Sequence, residues 1–224
     1  PKGWKMSHAS VIPMTLNGRK MYVYAAIGGV VGIAATGPDA GQPLWETADW
    51  NNAVVAPSPV PLPDGRIFLT AGYGRGSLMI NVAESAGRYS VQTLFRLEKT
   101  VFSCEQQTPV FYKDHLFSIL PKDAGAIKNQ FACLHPDGTL AWSSGGAHQF
   151  GLGPFLLADD KFFLLSDDAT LTLVRANTDK YEPLAQVKLM DGRDAWAPMA
   201  LVDGKLLVRD AHKMLCLDVS AKSK

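Results

Sequence analysis

The side chains of this 224-residue chain best suited to grip a ligand fall in five short polar segments. They are Ser7-His8, Trp50-Asn51-Asn52, Cys104-Glu105-Gln106-Gln107, His148-Gln149 and Asp194-Ala195-Trp196. Imidazole, primary amides and indole combine hydrogen bonding with stacking, the chemistry that holds a polar ring or a sugar. His8, Trp50, Asn51, Gln106, Gln107, His148 and Trp196 are therefore candidate ligand or partner contacts. Any wet loop also carries polar residues, so each needs a position before it has a role. A sixth segment, Gly72-Tyr73-Gly74-Arg75-Gly76, alternates glycine with Tyr73 and Arg75. Alternating glycines can turn successive N–H groups toward an anion, with Arg75 as a bidentate partner. The same pattern suits a wide hairpin turn that needs positive φ.

Other chemistry is poorly provided for. Cys133 and His135 lie two apart, but no second pair follows at zinc spacing. Cys133 and Cys216 read as small buried strand residues, and Cys104 as a free thiol in a loop. The five histidines form no local motif, and no Gly-x-Ser-x-Gly elbow is present. Asp159-Asp160 and Asp167-Asp168 read as turn residues facing solvent. No catalytic residue and no metal ligand is assigned.

Lys plus Arg is 22 and Asp plus Glu is 21, a formal net charge of +1. That balance offers no electrostatic argument for nucleic acid or an anionic membrane. The apolar fraction of 47% excludes a disordered chain, and three cysteines exclude a disulfide scaffold. Met21 to Gly37 is free of charge and follows Arg19-Lys20, so it superficially resembles an export signal. It is short for a membrane span, carries Gly28-Gly29 in its middle, and is better explained by a repeat.

Five prolines mark that repeat: Pro13, Pro59, Pro109, Pro154 and Pro198, spaced 46, 50, 45 and 44 residues apart. Periods of this length belong to propeller blades and some helical arrays. Each proline-centred segment is followed by a turn pair: Asn17-Gly18, Asp64-Gly65, Lys113-Asp114, Asp159-Asp160 or Asp203-Gly204. Asn-Gly and Asp-Gly supply the positive φ of tight hairpins. Short apolar runs follow at Met21–Ala26, Ile67–Ala71, Leu116–Leu120, Phe162–Leu165 and Leu206–Val208. A second turn and a third run complete every period, and four of the five continue to a fourth run. The runs are three to seven residues long, and no helical spacing persists for ten residues. The pattern predicts an all-β propeller of four-stranded antiparallel blades, about five of them, in a single domain over residues 1–224.

Two segments carry a resemblance to a known family. Asp39-Ala40-Gly41-Gln42-Pro43-Leu44-Trp45 is similar to the Asp-Ala-x-Thr-Gly-Lys-x-Leu-Trp ending of the PQQ-like β-propeller repeat, with the Thr missing. His135-Pro136-Asp137-Gly138-Thr139-Leu140-Ala141-Trp142 is a looser copy. The chain resembles the quinoprotein alcohol dehydrogenase-like superfamily, above all its non-enzymatic outer-membrane assembly lipoproteins and uncharacterised bacterial members. The resemblance implies that Trp45 and Trp142 dock between blades. Phe95 stands near this place in the blade at Pro59, and the blade at Pro154 has an aliphatic strand there. It also implies an exported or periplasmic bacterial protein with a protein or polymer partner, and no integral membrane span. In the family's dehydrogenases, calcium polarises the quinone, an Asp acts as base, and adjacent cysteines lie beside the cofactor. This chain has no Cys-Cys pair and no recognisable equivalents, so no cofactor is expected. PQQ with calcium is the alternative, with ligands on upstream sequence. A glycan or small-ligand binder is a further alternative. Family rings have seven or eight blades, which implies that blades are missing here. The rival expectation is a closed five-bladed ring in which Lys2–Ser7 supplies the last blade's fourth strand.

Overall fold

The computed structural model describes residues 3–220, which form five antiparallel sheets in chain order. Blade 1 holds β1 (Ile12–Leu16), β2 (Arg19–Ala26), β3 (Gly29–Ala34) and β4 (Pro43–Thr47). Blade 2 holds β5 (Val60–Pro61), β6 (Arg66–Ala71), β7 (Gly76–Ser85) and β8 (Arg88–Leu97). Blade 3 holds β9 (Val110–Tyr112), β10 (His115–Ile119), β11 (Phe131–Leu134) and β12 (Leu140–Ser143), with one 3₁₀ turn at Gly125–Ile127. Blade 4 holds β13 (Phe155–Ala158), β14 (Lys161–Leu165), β15 (Thr170–Arg175) and β16 (Pro183–Lys188). Blade 5 holds β17 (Ala200–Val202), β18 (Lys205–Arg209) and β19 (Met214–Asp218). Each sheet is a simple meander.

The turn residues explain the meander. Asn17, Lys113, Asp114, Asp159, Asp160 and Asp203 have positive φ, as do Gly18, Gly65 and Gly204. These are the expected first hairpins. The prolines lie at or just before the first strands, where a missing N–H breaks no ladder. The charge-free stretch after Lys20 is the β2–β3 hairpin, and no described helix is long and apolar enough to cross a membrane.

The outer strands are the more exposed, and burial becomes continuous inside. β8 alternates exposed and half-buried residues over its whole length, whereas β6 has five successive buried residues. A face-to-face stack needs this, because middle strands are covered on both sides. Four apolar clusters fill the spaces between neighbouring blades. The first joins Val23 and Trp45 to Ile67 and Ile80; the last joins Leu165 and Leu171 to Leu206 and Val208. Among the described residues, no cluster joins blade 5 back to blade 1. Lys5 pairs with Ile27 inside blade 1 rather than with β19, through reciprocal backbone bonds of 3.0 Å. Closure through the described part of Lys2–Ser7 is therefore corrected: Lys5 spends its N–H and C=O on blade 1, and the blade 5 sheet has three strands among the described residues. Lys2 lies outside the described residues.

One irregularity recurs. The ladder between third and fourth strands shifts register at the same place in all four complete blades. It shifts beside the pairs Gly32–Trp45, Met79–Phe95, Cys133–Trp142 and Leu173–Ala185. A bulge re-aims the neighbouring side chain. Trp45 is buried, lies over Gly32 and donates its Nε1–H to Met21 Sδ at 3.2 Å. Trp142 Nε1–H donates to Thr178 O of blade 4 at 3.1 Å, with Tyr181 6.1 Å away ring to ring. Phe95 packs near Gly138 of blade 3.

Candidate functional site

The loops that lead into the first strand of each blade are held by backbone and side-chain bonds, not by packing alone. The His8 N–H donates to Val55 O at 3.0 Å, and the Ser10 N–H to Ser58 Oγ at 2.9 Å. The Ser58 N–H in turn donates to Thr108 Oγ1 at 2.9 Å, linking the loops of blades 1, 2 and 3. Loop 98–109 is pinned to blade 2: Ser77 Oγ donates to Phe102 O at 2.8 Å, and the Cys104 N–H to Thr70 Oγ1 at 3.0 Å. Loop 144–154 is pinned to blade 3, where the Gly145 N–H donates to Gln130 Oε1 at 3.0 Å and the Phe131 N–H to Ser144 Oγ at 3.1 Å.

Asp167, in the β14–β15 turn, is the hub of the blade 4 side. Its Oδ1 accepts the Leu152 N–H at 2.7 Å and the Trp196 Nε1–H at 2.9 Å. Gly151 makes this approach possible: a Cβ there would lie 1.9 Å from Asp167 Oδ2. Burial pushes the Asp167 pKa up; the two donors oppose this, and Asp194 and Asp168 add to it. Blade 5 places a carboxylate at the equivalent turn. Asp210 Oδ1 accepts the His212 and Lys213 N–H groups, both at 2.7 Å, and packs on Gly192. Those two amides hold its pKa below the usual value. Asp167 is thus not a turn residue facing solvent, because its oxygen is committed to two loops. Asp168 is exposed and paired with Lys188 at 3.0 Å.

The expected contacts divide. Gln107 and Trp196 come together: Gln107 Nε2–H reaches Trp196 O at 3.5 Å, joining the loops of blades 3 and 5. Trp196 is 37% exposed. Gln106 lines a cleft of about 10 Å³ against Gly151–Gly153, with room for about one water. His8 and Asn51 are exposed on their loops. His148 is exposed beside the Tyr181 ring, 5.2 Å between centroids. Trp50 is corrected: it is 2% exposed in the blade 1–blade 2 cluster and cannot present its ring to a ligand. Its Nε1 and the nearby Asn52 Nδ2 have no hydrogen-bond partner among the described residues. Tyr73 is 60% exposed with φ of 57° in the β6–β7 turn. The Arg75 N–H is spent on Gly72 O at 3.3 Å, so that amide is not free to face an anion. Its guanidinium is exposed.

The cysteines also divide. Cys104 is buried and bonded to Ser118 Oγ at 2.8 Å, and Cys133 is buried. Cys216 is exposed, which corrects its expected burial: it lies on the face of β19 that no blade covers. Glu105 is buried against Gly72, and no three His, Cys, Asp or Glu side chains gather as a metal-holding group among the described residues.

A polar hollow of about 360 Å³ opens beside Asp167, lined by Asn129, Gln149, Ser166 and Thr170 among others. Of these only Gln149 lay in a segment singled out from sequence. The overlooked signal was positional. Asp167 and Asp210 each follow the second-strand run of their blade by two residues.

No family model matches the chain, and no curated protein matches it by sequence. Solved structures do. BamB from Moraxella catarrhalis is similar at a TM-score of 0.59 and 11% identity, over 95% of this chain and 59% of that one. Apo AztD from Citrobacter koseri gives 0.52 and 13%, over 93% and 56%. The N-terminal domain of Nup159 gives 0.58 and 12%, over 91% and 53%. The chain therefore spans a little over half the length of the structures it resembles. At such identities the likeness shows the fold alone, and with the five meander sheets it establishes an open β-propeller arc.

Proposed function

We propose that the chain is a non-catalytic PQQ-like propeller scaffold of an exported bacterial protein. Its loop-lined face binds a protein or polymer partner. Blades outside this sequence, or a second chain, complete the ring. One observation carries the reading: the entry loops are tied to one another from blade 1 to blade 3 and from blade 3 to blade 5. Loops braced in advance lose little entropy on binding, which is what a recognition face requires. Trp196, on the loop leading into blade 5, supplies an exposed aromatic anchor, bonded to Gln107 and to Asp167 beside the polar hollow. The expected site includes His8, Asn51, Tyr73, Arg75, Gln106, Gln107, His148 and Trp196.

The test is quantitative capture from the source cells' envelope with wild type and with the Gln107→Ala, Trp196→Ala pair. A specific partner should lose about 30-fold in affinity, the equivalent of about 2 kcal/mol for a central anchor. Equal recovery by both proteins removes this face from the proposal. Turnover of an alcohol or sugar with PQQ, calcium and an artificial electron acceptor would replace the scaffold reading with an oxidoreductase. A specific glycan-array signal that Trp196→Ala abolishes would favour the glycan binder.

A further inference from the structure

The recurrent bulge predicts an aromatic ring between every pair of blades, and the last place lacks one. Trp45, Phe95 and Trp142 occupy the re-aimed position in blades 1, 2 and 3. In blade 4 the position belongs to Ala185, paired with Leu173 beside the same register shift. Where the ring would stand, there is a cavity of about 490 Å³ between blades 4 and 5. Phe163, Leu171, Leu173 and Ala185 line it from blade 4, and Leu201 and Val219 from blade 5. Its wall is continuous with the apolar cluster that joins these blades. Lys161 stands at its edge, with one ammonium N–H donated to Asp159 O at 2.9 Å.

We propose that this interblade cavity is a binding site for a small neutral ligand of two or three fused aromatic rings bearing a hydrogen-bond acceptor. The size is that of pockets that enclose small ligands, well above the roughly 150 Å³ that suffices for benzene. The place follows from the fold: the re-aimed position carries a ring in blades 1, 2 and 3 and only Ala185 in blade 4. The apolar wall selects the ring, and the remaining Lys161 N–H groups select an acceptor on its edge. Asp159, Gln186 and Ser220 also line the site and could bond some hydroxyls of a carbohydrate, but those facing Leu171, Leu173 and Leu201 would lose water without replacement bonds, so a flat ring is the better match.

The experiment is methyl NMR of the chain titrated with 2-naphthol. Saturable shifts are expected at the methyls of Leu171, Leu173, Leu201 and Val219, with half-saturation in roughly the tens-of-micromolar to millimolar range. Methyls of the blade 1–blade 2 cluster stay unmoved. Nuclear Overhauser contacts from the naphthol ring to Leu173 and Leu201 locate the ligand in the wild type, without reliance on any variant. Ala185→Trp places the missing indole in the slot and should weaken binding at least about 10-fold. No saturable shift up to the probe's solubility limit overturns the proposal, as do contacts confined to other sites or undiminished binding to folded Ala185→Trp.

Discussion

At the scale of single residues, two carboxylates at equivalent turns carry opposite electrostatic signs. Asp167 ties two distant loops through the Leu152 N–H and the Trp196 indole N–H, whereas Asp210 closes its own turn through two amides; burial raises the first pKa and the two amides lower the second. For Asp167 the folded chain holds the proton more tightly than the unfolded chain does. Its contribution to stability is complete below the usual 3.8 and is lost as pH rises through the raised folded value. For Asp210 the contribution is present above 3.8 and is lost as pH falls through the lowered value. Asn at either position keeps an acceptor oxygen and removes the titration. Urea midpoints measured from pH 3 to 7 should show Asp167→Asn gaining on wild type as pH rises, while Asp210→Asn falls behind. Parallel pH profiles for wild type and both variants would contradict the assignment. Asp167→Ala removes the acceptor itself and should cost about 1–3 kcal/mol at neutral pH, because the Leu152 N–H loses its partner.

At the scale of elements, the blade is built around a pairing of large with small. Trp45 lies on Gly32, and a Cβ at Gly32 would sit 2.2 Å from Trp45 Nε1. Gly32→Ala should therefore destabilise the chain by about 1–3 kcal/mol through overpacking. Combined with Trp45→Leu it should cost clearly less than the sum of the single variants, as a denaturant double-mutant cycle would report. Strict additivity would mean that the indole does not rest on Gly32. This level was largely legible in the sequence. Turn pairs such as Asn17-Gly18 and Asp203-Gly204 are local chemistry, and the runs between them fix strand length. The docking rings at Trp45, Phe95 and Trp142 could be marked too. Their register shifts could not, because a bulge is a relation between two strands. The candidate site was less legible for the same reason. Trp50 and Trp196 occupy similar loop sequences, and only packing decides that one is core and the other exposed. Asp167 looked like an ordinary turn carboxylate because its partners, Leu152 and Trp196, are 15 and 29 residues away.

At the scale of the molecule, the apolar clusters join each blade only to its neighbours, so packing stability is a chain of interfaces rather than one core. The interfaces are unequal. Those holding Trp45, Phe95 and Trp142 are closed by rings, whereas the blade 4–blade 5 interface contains the cavity and ends on a three-stranded sheet. Blade 5 should separate first, and opening should progress toward blade 2. The cysteines can time this. Cys216 is exposed, Cys133 lies in the cluster between blades 3 and 4, and Cys104 in the cluster between blades 2 and 3. Burial pushes both inner thiols up to about 12, with Asp179 adding to the shift at Cys133. At pH 8 they are almost wholly protonated and shielded, so they react only after opening. A thiol reagent at pH 8 in native buffer should label one site at once and two slowly, with Cys133 faster than Cys104. The urea dependence of the Cys133 reaction should be weaker than that of global unfolding, because fewer blades separate to expose it. Equal slow rates with the global urea dependence would instead mean that the arc opens as one cooperative unit, its ring-filled and ring-free interfaces failing together.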